Sequence, residues 1–173
     1  MHGDRDAFGI LAERSLPRLV GTAGLILRDV DAADDAAQET LVRAWRDLPG
    51  LRDPDRFDAW LYRVMVRTCG DQVRRRQRER RNEVAVAALP GSADGVQRVA
   101  ERDEMDRALG RLSVEQRTVV VLHYYLGLSH PEIAEATGQP IGTVKSRLSR
   151  SLDALRAALA ADARVGAPRE GSA

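Results

Sequence analysis

The chain has one cysteine, Cys69, which excludes an intrachain disulfide and any thiolate-based zinc cluster. Histidine is nearly as scarce, at positions 2, 123 and 130, with no HExxH spacing. A phosphate-binding glycine loop and a nucleophile motif are also missing. Catalytic residues, metal ligands and cofactors are therefore not expected. No apolar run is long enough to cross a bilayer and the Met1 end is polar rather than signal-like, so the expectation is a cytoplasmic protein without membrane insertion. Charge of one sign is lacking too: 27 basic residues face 26 acidic ones, a formal charge of +1. Any nucleic-acid binding must then come from local segregation of charge. Lysine is almost absent, Lys145 being the only one, and together with abundant alanine this reads as the imprint of a GC-rich genome.

What is present is helical patterning in two zones. The segment from Ser129 to Leu155, SHPEIAEATGQPIGTVKSRLSRSLDAL, is the most informative. Ser129 and Glu132 have the S-x-x-E spacing of a capping box, which opens a helix. Gly138 supplies the backbone freedom for a turn, and Pro140 suits a first helical turn, where its missing N–H has no partner to lose. Val144, Leu148, Leu152 and Leu155 then recur every three or four residues as a buried stripe. Thr143, Lys145, Ser146, Arg147 and Arg150 fall mostly off that stripe. A solvated basic face would look the same, but hydroxyls and cations on a helix presented by a shorter one also suit the DNA major groove. The wording LSHPEIAEATGQP followed by GTVKSRLSR closely resembles region 4 of bacterial RNA polymerase sigma factors, in particular the extracytoplasmic-function (ECF) group.

The N-terminal zone agrees. Phe8, Leu11, Leu16, Leu19 and Val20 suggest an opening helix, interrupted or bent near Pro17. In DVDAADDAAQETLVRAWRDLPG, Ala37, Leu41, Ala44, Trp45 and Leu48 follow one helical face. Asp31, Asp34 and Asp35 gather at its start, where the helix dipole favours negative charge. Asp53-Pro54 offers a cap for the next helix, which carries Phe57, Trp60, Leu61, Val64, Met65, Cys69 and Val73 and runs into RRRQRERR. The run Ala33-Asp34-Asp35-Ala36-Ala37-Gln38-Glu39 resembles the A-E-D-x-x-Q-E motif of sigma region 2, with Asp for the usual Glu. WLYRV, from Trp60 to Val64, matches a later segment of that region.

The expected architecture is all-α: a region-2 domain over residues 1–76, a flexible linker over 77–102, a region-4 domain over 103–160 and a disordered tail over 161–173. In the second domain Met105, Leu109 and Leu112 mark one helix. Ser113 to Gln116 offers another capping box, opening a helix with Val119, Val120, Leu122, Tyr125 and Leu126. An extended linker of about 25 residues reaches at most ~90 Å, just enough for two DNA elements ~85 Å apart.

The resemblance implies an alternative sigma factor, a non-enzymatic specificity subunit that binds core RNA polymerase and reads the −10 and −35 promoter elements. It implies that Asp34, Asp35, Gln38 and Glu39, with Arg43 on the same face, contact the β′ clamp helices. The loop near Leu51 and Arg52, with Arg56, corresponds to the one that holds an extruded −10 base. Arg63, Arg67, Arg74, Arg75 and Arg76 extend that surface as phosphate contacts, which add affinity without sequence information. Thr68 is expected at the −10 element too, where the family usually has Asn, and its shorter side chain weakens any inherited −10 preference. Thr143, Lys145, Ser146, Arg147 and Arg150 are expected at the −35 element, and the second domain at the polymerase β flap. Many members of the group are held inactive by an anti-sigma factor, a partner that the resemblance allows but no residue of this sequence identifies. The competing reading is a stand-alone helix–turn–helix regulator, but the chain shows no coiled-coil heptads and no ligand domain.

Overall fold

The computed structural model describes the backbone of residues 5–83 and 100–166, and the side chains of residues 5–79 and 104–161. Among these residues the fold is all-α. Helix α1 (Arg5–Leu27), α2 (Val30–Asp47) and α3 (Phe57–Glu83) form the first group. Helix α4 (Ala100–Gly110), α5 (Val114–Val120) with a π turn continuing it (Val121–Tyr125), α6 (His130–Thr137) and α7 (Ile141–Gly166) form the second. The linker expected over 77–102 is shorter than its composition suggested, since α3 continues to Glu83 and α4 starts at Ala100. Its remaining part, and with it the expected flexibility, lies outside the described residues. Residues 161–166 extend α7, which corrects the expectation of disorder for that part of the tail.

The helix boundaries have local causes. Asp29 caps α2 by accepting from the Ala32 N–H at 2.8 Å. Asp53 accepts from the Asp55 N–H and opens a 3₁₀ turn, Pro54–Arg56, that leads into α3. Ser113 with Gln116, and Ser129 with Glu132, both form complete capping boxes. Gly138 ends α6 at φ 68°, the left-handed region that glycine enters without steric cost. Pro140 lies just before α7 rather than in its first turn, and its carbonyl accepts from the Val144 N–H at 3.1 Å.

Two expectations are narrowed. Helix α1 is not interrupted at Pro17, the first of the two alternatives its sequence offered. Both Pro17 and Glu13, whose carbonyl loses its helical partner there, are exposed, which leaves that carbonyl open to solvent. In α7 the buried stripe is Val144, Leu148, Ser151, Leu155 and Ala158, with Leu152 only half-buried. Ser151 tolerates burial because its hydroxyl donates to the Arg147 carbonyl at 2.7 Å.

Alanines set the packing of the first group. Ala32, Ala33, Ala36, Ala37 and Ala44 are buried along α2, and their small side chains let it lie close to α1 and α3. Trp45 completes this layer, with its ring 5.0 Å from that of Phe8. In the second group, Leu122, Val119, Ile133 and Val144 are fully buried. The two groups do not keep separate cores. Leu19, Ile26, Leu61 and Met65 belong to one continuous apolar cluster with Leu122, Ile133 and Val144.

Candidate nucleic-acid and partner interfaces

Helix α2 turns one face to solvent. Asp34, Asp35, Gln38 and Glu39 are all exposed on it, as a period of three to four residues requires once the alanines face inward. Val42 continues this face and is 60% exposed, a large apolar side chain that the charge pattern alone did not single out. Arg43 is not free beside them. Its guanidinium donates to Glu39 at 2.7 Å and to Asp71 of α3 at 2.8 Å, which makes it a tie between the two helices. The Arg43 hydrogen bond, with a second from Arg74, holds the Asp71 carboxyl below the ordinary range.

The cations expected at the −10 element divide into two sets. Arg75 pairs with Glu79 and Arg76 with the capping Asp29, both on the exposed side of α3. Arg56, Arg63, Arg67 and Arg74 instead face the second helical group. Arg56 donates to Glu135 of α6 at 2.7 Å, and Arg63 donates to the other oxygen of the same carboxylate. Arg67 and Arg74 line a cleft of about 250 Å³ whose opposite wall includes Glu115, Thr118 and Gln139. Leu51 and Arg52 stand apart in the loop after α2, half-buried and exposed respectively. Thr68 is corrected: it is 1% exposed and its hydroxyl donates to the Val64 carbonyl at 3.0 Å, so it offers no surface for a base. Phe57 packs partly buried against the core, its ring 5.9 Å from that of Trp60.

In the helix–turn–helix, Lys145, Ser146 and Arg150 are exposed on the first turns of α7 and Thr143 is half-buried. Arg150 donates to the Ser146 carbonyl at 3.1 Å, which folds its guanidinium along the helix. Arg147 is half-buried and donates to the Gln139 side chain at 2.9 Å. It thereby braces the turn between α6 and α7, and lies near enough to Glu115 to help lower that carboxyl. His123 serves structure, with Nδ1 2.9 Å from the Leu128 carbonyl and its ring stacked on His130.

The junction of the two groups is built from reciprocal contacts. The Tyr125 hydroxyl of the π turn rests on Gly21 of α1, and the Arg28 guanidinium rests on Gly110 of α4. Arg117 is 7% exposed and donates to the carbonyls of Ile26, at 2.8 Å, and Leu112, at 3.1 Å. Burial, and secondarily Arg28, lowers its pKa below the ordinary arginine value. The Nε atoms of Arg63 and Arg117 are buried without a hydrogen-bond partner.

Magnitudes decide what holds this junction. Ion pairs as exposed as those of Glu135 contribute ~0.2–1 kcal/mol each. An orphaned buried donor costs about 1–3 kcal/mol. The polar contacts together are thus close to neutral or unfavourable, and the shared apolar core supplies the attraction.

Comparison with known proteins places both groups. Residues 11–79 match the family described as Sigma-70 region 2, and residues 102–155 match Sigma-70, region 4. The ECF RNA polymerase sigma factor SigM of Mycobacterium tuberculosis is 35% identical over 149 residues, covering 86% of this chain and 75% of SigM. The ECF RNA polymerase sigma factor SigW of Bacillus subtilis is 29% identical over 167 residues, covering 89% of each protein. The structure of the sigma factor RpoE from Bartonella quintana, in complex with the anti-sigma factor NepR, superposes with a TM-score of 0.76 at 29% identity, over 90% of this chain and 98% of RpoE.

Proposed function

Because the chain belongs to the sigma-70 family, as a sigma factor of the extracytoplasmic-function group, we propose that its exposed surfaces divide the work of promoter-specific initiation between its two helical groups. A sigma factor directs where RNA polymerase starts transcription, so the question for this chain is which side chains meet which partner.

The observation that carries the reading is the uninterrupted solvent face of Asp34, Asp35, Gln38 and Glu39 on α2, within the region-2 match. This face docks on the β′ clamp helices of the core enzyme through charge-assisted hydrogen bonds, with Val42 as an apolar contact at its end. Arg43 orients Glu39 rather than reaching the polymerase itself. Leu51, Arg52 and Arg56 take the extruded −10 base, while Arg63, Arg67, Arg74, Arg75 and Arg76 track phosphates. Lys145, Ser146, Arg150 and Thr143 meet the −35 element in the major groove, Arg147 is held back as the brace of the turn, and the α4–α7 group docks on the β flap. The chain works in the cytoplasm, has no catalytic site of its own, and is held inactive by an anti-sigma factor, as RpoE is found with NepR.

Bridging both elements at once sets a length requirement. From Glu83 to Ala100 an extended chain spans about 60 Å. The rest of an ~85 Å separation is within the width of two domains of this size, each about 25 Å across.

Single-round run-off transcription with purified bacterial core polymerase and genomic promoter fragments tests the assignment. New discrete transcripts that vanish when Asp34 and Asp35 are both changed to Arg support it. Transcripts that persist at wild-type level in that variant would remove α2 from the polymerase interface. Tight promoter-duplex binding by the protein alone, with no binding to core polymerase, would favour the stand-alone regulator.

A further inference from the structure

We propose that Glu135 is an internal latch: it holds the two helical groups in a closed form in which the −10-reading cations Arg56 and Arg63 are occupied by the first helix of the protein's own helix–turn–helix. The inference rests on the reading above of Arg56, Arg63, Arg67 and Arg74 as DNA contacts.

Three observations converge on it. One carboxylate accepts from two arginines that lie 79 and 72 residues away in sequence, one on each of its oxygens. A phosphate group would use the same bidentate geometry, so Glu135 and the DNA backbone compete for the same donors. Second, Arg67 and Arg74 remain exposed but border the cleft against α5 and α6, so the second helical group flanks one side of this basic surface. Third, the junction is shaped for closure, with each group providing a glycine that seats a side chain of the other, Gly21 for Tyr125 and Gly110 for Arg28.

The closed form is also poised to open. Closure leaves the Nε atoms of Arg63 and Arg117 buried and unpartnered, and it buries the Arg117 charge with neutral carbonyls as hydrogen-bond acceptors and the like charge of Arg28 nearby. Opening returns these donors to water or to DNA. The apolar attraction is therefore partly cancelled, and removing one carboxylate shifts the balance between the forms. Apparent DNA affinity equals the intrinsic affinity scaled by the open fraction, so a molecule that is mostly closed binds several-fold more weakly than its open form.

The test uses the full chain in a C69A background, with spin labels at R46C on α2 and R156C on α7, both exposed positions. Pulsed electron–electron distance measurements compare Glu135 with E135Q and E135K. In parallel, fluorescence anisotropy measures binding of each protein to a labelled oligothymidylate strand, and circular dichroism confirms that helix content is kept. The expected result is a narrow, short distance with Glu135, a longer and broader one in both variants, and roughly fivefold tighter DNA binding by E135Q. An unchanged distance in E135K, or a long distance already present with Glu135, overturns the latch. Tighter DNA binding at unchanged distance overturns it as well, leaving only the local effect of removing an acid. Opening without any gain in DNA binding would instead uphold the closed form and overturn the assignment of Arg56 and Arg63 to DNA.

Discussion

The hydroxyl of Tyr125 lies 2.6 Å from the point where a Cβ on Gly21 would stand, whereas the ring carbon bearing it is 3.5 Å away. The first distance is a clash and the second an ordinary contact, so a single oxygen atom is what an alanine at position 21 would meet. Gly21 sits within α1, where alanine would be favoured by about 1 kcal/mol on helix propensity. In the wild-type background G21A must swing aside the tip of the half-exposed tyrosine, which offsets part of that gain. With Y125F in place the same G21A change is more favourable, stabilising by about 0.5–1 kcal/mol. Urea unfolding of the four proteins of this cycle gives the coupling directly, and additivity would show that the two residues do not meet in solution.

Cys69 provides a reporter of global unfolding. It is 1% exposed, and burial pushes its thiol up to about 12. At pH 8 both the thiolate and a route to it are missing in the folded protein. Ellman's reagent is expected to react only as fast as the chain opens. A rapid stoichiometric reaction under native conditions would mean that the α2–α3 layer breathes far more than its packing implies.

Acid sensitivity follows from four depressed carboxyls. The Arg76 hydrogen bond lowers Asp29, the Arg43 hydrogen bond lowers Asp71, its own backbone N–H lowers Glu115, and the Ser129 hydroxyl lowers Glu132. The ordinary values are 3.8 for the two aspartates and 4.5 for the two glutamates. A carboxyl depressed in the folded state adds stability above its unfolded value and loses it as pH falls through the folded value. The melting temperature is therefore expected to be level above about pH 5 and to drop steadily below about pH 4.5. The S129A variant should show a smaller acid drop, because Glu132 then loses its largest source of depression.

Within the helix–turn–helix, K145A and R147A should separate. Lys145 is exposed, so K145A leaves the melting temperature unchanged, weakens promoter binding by the holoenzyme, and reduces the salt slope by about one. Arg147 is tied to Gln139, so R147A lowers stability by about 1 kcal/mol through loss of the brace. Equal loss of DNA binding without loss of stability in both variants would place Arg147 at the DNA with its neighbour.

Features that depend on neighbours in sequence were legible from sequence. Both capping boxes and the left-handed Gly138 turn rest on residues three or four apart, and all are present. The helix–turn–helix was readable for the same reason. Thr68 and Ser151 misled because a hydroxyl that bonds to the carbonyl four residues earlier can enter a core as if it were apolar, which composition does not reveal. The charged run from Gln77 reads as the start of the linker, yet α3 persists to Glu83, with the Arg75–Glu79 pair one turn apart on it. Least legible was the junction. Glu135 looks like one more solvated charge on α6 until the chain brings Arg56 and Arg63 to it, and no local spacing encodes that meeting.

The π turn from Val121 to Tyr125 amounts to an accommodated one-residue insertion. Upstream of it, the α5 side chains follow an ordinary helical phase. Downstream, the extra residue rotates the phase, so that Leu126 still turns inward while Tyr125 reaches Gly21 on the other helical group. Deleting a single residue here would give the chain a more regular helix and leave it with the wrong face toward α1. The irregularity is thus the register mark by which two separately legible helical units recognise each other as parts of one molecule.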